Sequence, residues 1–251
     1  MADFDRNGLA RPGSMPRTGA AIDEGLRAYM IRVYNYMAAG VGITGVVAYL
    51  TYSMAVVQTS AGLEMTEFGT FLFTSAFRWV VMLAPLGMVF YLSARIGNMS
   101  LPGAQTAFWV FAGLMGLSLA SIFMVYTQAS ISRVFFISAA SFGALSLYGY
   151  TTKKDISGWG SFLFMGLIGI ILAMIVNIFL ASSALQFAIS VIGVLVFAGL
   201  TAYDTQQIKE MYYVGDDGTT AGRKAIMGAL RLYLDFINLF LMLLSLFGNR
   251  N

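Results

Sequence analysis

Apolar residues in this chain come in runs about as long as a bilayer is thick, separated by short polar breaks. A helix needs about 20 such residues to cross a ~30 Å hydrocarbon layer. Seven runs qualify: residues 33–57, 73–92, 104–125, 134–150, 162–180, 187–203 and 225–247. None alternates polar and apolar positions as barrel strands do. The pattern therefore predicts an all-α membrane protein, a bundle of seven transmembrane helices. Only a few small residues near Ser182, Ser183 and Ala184 separate the fifth and sixth runs, so these two spans form an antiparallel hairpin. No Gly/Ser/Pro linker or charge run divides the remainder. Residues 1–28 read as a polar cytoplasmic tail and residues 29–251 as a single transmembrane domain.

Composition narrows the chemistry. Hydrophobic residues make up 58% and charged residues 11% of the chain, against about 25% charged in soluble domains. A cytosolic enzyme and a nucleic-acid-binding domain are thereby excluded. With no Cys and no His, disulfides, thiolate nucleophiles, imidazole bases and the commonest zinc and haem ligands drop out. No resident cofactor is expected.

Placement of charge sets the orientation, because Lys and Arg favour the cytoplasmic side. Arg6, Arg11, Arg17, Arg27 and Arg32 precede or open the first run. In an alternating seven-span arrangement Arg95, Lys153, Lys154, Lys209, Arg223 and Lys224 share their side, while Arg78, Arg133 and Arg250 lie opposite. The N-terminus is thus expected in the cytoplasm and the C-terminus outside. Small residues recur four apart, as at Ala38 and Gly42, Ala112 and Gly116, Gly116 and Ala120, Ala139 and Gly143. In lipid, close backbone approach stands in for the hydrophobic effect, so these pairs are expected to be packing positions.

Ionisable groups inside spans carry the candidate chemistry, since each costs about 2.5–3.5 kcal/mol on insertion scales. Asp204 ends the sixth run and Asp235 lies within the seventh. The short side chain of Asp235 cannot reach the interface, so it needs a partner. Arg231, Asp235 and Asn238 fall on one helical face. Arg231 suits either a snorkelling role or an ion pair with Asp235, and Asn238 suits an interhelical hydrogen bond. Asn177 in the fifth span shares that ambiguity. Arg95, closing the second span, is placed at the level of Asp204 and could neutralise a carboxylate. If Asp204 and Asp235 meet in a low-dielectric site, they share one proton and titrate as a coupled pair. Such a pair is a pH-dependent latch. Its singly protonated form holds two helices together, and full ionisation or full protonation weakens the hold.

Three blocks, LYGYTTKKD (147–155), AYDTQQIK (202–209) and LYLDFINLF (232–240), closely resemble the Bax inhibitor-1, or transmembrane BAX inhibitor motif, family, and the resemblance runs through nearly all the chain after the polar tail. It implies a seven-span protein of a bacterial cytoplasmic (inner) membrane whose aspartates matching Asp204 and Asp235 form a pH-sensing dyad. It also implies that the arginine matching Arg95 interacts with that dyad. The activity it implies is a pH-sensitive passive calcium leak rather than an enzyme, with protons and transiently bound calcium at Asp204 and Asp235. The second reading is an interaction protein that modulates a membrane-anchored ATP-dependent protease through the N-terminal tail, as some bacterial relatives do. The second span here, 79–94, lacks the carboxylate that some members carry there.

Overall fold

A computed structural model describes residues 19–59 and 62–251. The part of the expected tail at residues 1–18 lies outside them; residues 19–28 are already helical, in a long α1, Gly19–Ala55. A hairpin follows, β1 Val56–Thr59 paired antiparallel with β2 Gly62–Met65, with Val56 opposite Met65. Gly62 has φ +123°, a left-handed conformation open to glycine. Then come α2, Glu67–Thr74, and α3, Phe77–Arg95. Thr66 caps α2 by accepting the Gly69 N–H at 3.1 Å. The second span therefore begins at Phe77 and not at the expected 73, because Ser75 leaves the helix with extended dihedrals.

A short 3₁₀ turn, Ile96–Asn98, leads to α4 Leu101–Leu119 and the single turn α5 Ile122–Val125, together the third span. The remaining spans are α6 Gln128–Thr151, α7 Trp159–Leu180, α8 Ser183–Glu210 and α9 Gly218–Phe247. Seven helices in all are long and apolar enough to cross a membrane among the described residues. The α7–α8 hairpin turns on Ala181, at φ 47°. Its backbone N–H donates to the Asn177 carbonyl at 2.8 Å, while Asn177 Oδ1 accepts the Ser182 N–H at 3.0 Å.

The last helix is the axis. α9 packs against α8, α1, α6 and α4, while the others form two arms around it, α3–α4–α1 and α6–α8–α7. Tyr233 of α9 is fully buried, edge-on to Phe108 and Phe111 of α4. The Thr44 hydroxyl donates its one proton to the Ala112 carbonyl at 2.8 Å. Tyr233 must therefore be the donor in its 2.6 Å bond to Thr44, and α1, α4 and α9 are tied at one point.

Only some of the small-residue pairs pack. A Cβ on Gly116 would come within 2.8 Å of the Thr44 carbonyl oxygen, so α4 and α1 touch backbone to backbone there. Gly149 of α6 likewise abuts the Ala202 carbonyl of α8. Gly42 and Gly143, in contrast, have nothing within 4 Å of an added Cβ. Spacing marks a smooth face but says nothing about whether a neighbour occupies it.

Candidate functional site

Asp204 stands six residues before the end of α8, and Asp235 lies just beyond the middle of α9. These helices run antiparallel and form the most extensive seam in the bundle. They approach closely because Gly228 leaves room for Ile208, whose Cγ2 would lie 2.9 Å from a Cβ at that position. Across this seam the Asp204 and Asp235 carboxyls lie close enough to act on one another and to share a hydrogen bond. Such a bond requires a proton on one of them, since an ionised carboxylate only accepts. Asp235 is buried and Asp204 half-buried. Asp235 Oδ2 is buried with no hydrogen-bond partner among the described residues, which leaves it open to a proton shared with Asp204.

Arg231, one turn before Asp235, exerts its charge on both carboxyls. It closes to ion-pair distance with neither, as the sole ion pair among the described residues is Lys224–Asp216 at 2.6 Å. Arg95 is not brought to the pair. It is exposed at the end of α3, and α3 sits beside α4 on the arm opposite α8. Level in the membrane is not proximity in a bundle. Asn238 does not bridge helices either: its Nδ2 donates to the Leu234 carbonyl one turn back in α9, at 2.8 Å. Asn177 does bridge, donating to Gln186 Oε1 at 3.2 Å at the far end of α7 and α8. No cluster of three or more acidic, His or Cys side chains suited to a metal occurs among the described residues.

Composition and periodicity left unnoticed a chain of hydroxyls beside Asp204. Thr205 Oγ1 donates to the Thr201 carbonyl at 2.7 Å, so Ser146 must donate to Thr205 at 2.8 Å. By the same logic Tyr34 donates to Ser146 at 2.7 Å. α1, α6 and α8 are thereby linked in one direction up to the residue following Asp204. The only signal in the sequence was a Thr adjoining the acid.

Around the pair, the distinctive blocks explain one another. Gln206 donates to the Lys154 carbonyl at 2.9 Å and accepts the Ile156 N–H at 3.0 Å. Lys209 Nζ donates to the Tyr150 carbonyl at 2.9 Å and lies 5.4 Å from the centre of its ring. The segment 203–209 thus fastens the end of α6 while holding Asp204 toward α9. Outside the membrane, two carboxylates make local turns. Asp155 is held below its ordinary value by the Ser157 hydroxyl and N–H, and Asp217, capping α9, by the Thr220 N–H and hydroxyl.

Comparison with known proteins gives a consistent set of relatives. The family model for the inhibitor of apoptosis-promoting Bax1 matches residues 26–251. An uncharacterized protein of Rickettsia prowazekii is 50% identical, over 91% of this chain and 92% of its own. The inner membrane protein YbhL of Escherichia coli is 47% identical, over 94% of this chain and 98% of its own. A Caulobacter vibrioides protein is 45% identical, over 99% and 98%.

Proposed function

The chain belongs to the Bax1-inhibitor family, and on that premise we propose that it is a pH-sensitive passive cation leak, calcium first, gated by the proton shared between Asp204 and Asp235. It is a multi-pass membrane protein, and the name of its Escherichia coli relative supports the inner membrane as its location. The excess of Lys and Arg on one side supports a cytoplasmic N-terminus and an external C-terminus. The observation that carries the reading is that two acids on neighbouring spans lie within reach of a shared hydrogen bond.

With one proton, that bond clasps α8 to α9 across the seam. With none, two unit charges about 4 Å apart repel by about 4 kcal/mol at an effective dielectric of 20. The helices then part, or a cation enters between the carboxylates. With two protons, the charge that strengthened the bond is gone. Calcium prefers about 6–8 oxygen ligands, so a site of two carboxyls suits passage over storage. In this reading no bond is made or broken in a substrate and no resident cofactor takes part.

The test is calcium flux into proteoliposomes, stepped from about pH 5 to about pH 8. Asp204→Asn and Asp235→Asn should each flatten or displace the pH profile, and the double variant should lose it. Two single variants with the wild-type profile would sink the latch. A wild-type trace identical to empty liposomes would sink the leak.

A further inference from the structure

α1 and α6 stand on opposite arms and barely touch, so a groove runs between them. Its first cavity, about 660 Å³, extends from Arg27 to Phe142 and Tyr150. A second, about 310 Å³, shares Tyr34 and Phe142 with the first and reaches Gly42 and Ala139. From Arg27 to Gly42 the groove follows α1 for about 22 Å at 1.5 Å per residue. That exceeds half the ~30 Å hydrocarbon layer. Missing side chains create it, since additions at Gly42 and Gly143 would meet no protein atom. Ile31 and Leu147 on its rims are exposed, so it opens sideways, where a spanning bundle meets lipid.

One end of the groove is basic. Arg27 lines it, is exposed, and makes no ion pair or hydrogen bond among the described residues. Asp23 and Glu24, one turn away on α1, leave it unpaired. Lys209 holds its charge over Tyr150, and Lys153 and Lys154 are exposed just past the end of α6. Basic pockets between spanning helices are fitted to anionic lipid headgroups.

We propose that this groove binds one anionic phospholipid, with its phosphate on Arg27 and an acyl chain laid between α1 and α6 along Gly143, Ala139 and Gly42. The apolar walls accept any acyl chain, and Arg27 selects the headgroup. The bound chain covers the 2.7 Å Tyr34–Ser146 bond that joins the two helices at the groove floor. The proposal stands independently of the leak.

The experiment places the full-length protein in nanodiscs of equal phosphatidylglycerol and phosphatidylcholine with matched chains, then counts retained lipids by native mass spectrometry. Wild type should keep one lipid, favouring phosphatidylglycerol about fivefold, the ratio equivalent to one basic residue at a membrane surface. Arg27→Gln should keep a lipid but lose the preference. Gly143→Leu, whose Cβ would meet no protein atom within 4 Å, fills the groove and should lose the lipid while its melting midpoint holds. If it melts early, Ala139→Leu carries the same test. Equal retention of both lipids by wild type, or full retention by a folded groove-filling variant, overturns the proposal. Displacement of the lipid by free glycerol phosphate overturns it too, by showing an anion site that needs no acyl chain.

Discussion

α7 and α9 invert the rule learned from soluble proteins. α7 is the most apolar of the seven spans, yet only Leu163 and Ile170 are buried. α9 carries Arg231, Asp235 and Asn238, and sixteen of its thirty residues are buried. In water the most apolar helix would lie at the core. In a bilayer the tails solvate Leu and Ile as well as a protein interior does, so burying them gains little. A carboxyl gains a great deal from leaving the lipid. The centre of this bundle is therefore chosen by its polar groups and by the shape of its contacts.

The sharpest way to break that comparison is to remove shape at the axis. Tyr233→Ala should cost about 3–5 kcal/mol, read as a midpoint shift in equilibrium unfolding in micelles. Tyr233→Phe keeps the ring and removes the bond to Thr44, whose hydroxyl still reaches Ala112. Its expected cost is about 0.6 kcal/mol, typical of hydrogen bonds between spans. A smaller and pH-linked effect belongs to Asp217→Ala at the head of α9. The native Asp217 carboxyl lies below its ordinary 3.8 through its bonds from Thr220. Its stabilisation is thus complete above that value and fades as pH falls through the depressed one, so wild type and variant should converge in acid. Last, Leu172→Ala on α7, where the side chain is mostly exposed, should stay within about 0.5 kcal/mol. If Leu172→Ala matched Tyr233→Ala, the inversion would be wrong.

The seven spans were legible because span length follows from bilayer thickness and apolarity alone. The hairpin at Val56–Met65 was not, because Val56 and Val57 extend the apolar run of α1 and give it no visible end. The two aspartates stood out as ionisable groups in or beside apolar runs. That Arg231 and not Arg95 acts on both, and that Asn238 turns back onto its own helix, depends on which arm each span joins. Hydropathy records depth along the membrane normal and is blind to neighbours in the plane. Small residues share that blindness, as the packed Gly116 and the open Gly143 show.

The position of α9 also has a consequence for synthesis. Chains emerge N-terminus first, and domains begin to organise as they appear. Here the piece against which α1, α4, α6 and α8 all pack leaves the ribosome only after they do. Until then six spans wait in the bilayer with their inward faces held only by lipid and by each other. A chain cut short before Gly218 would lack its axis, not one helix among seven. Quality control that destroys such a fragment has a simple cue, polar positions such as Asp204 and Thr44 facing lipid with no α9 to meet them.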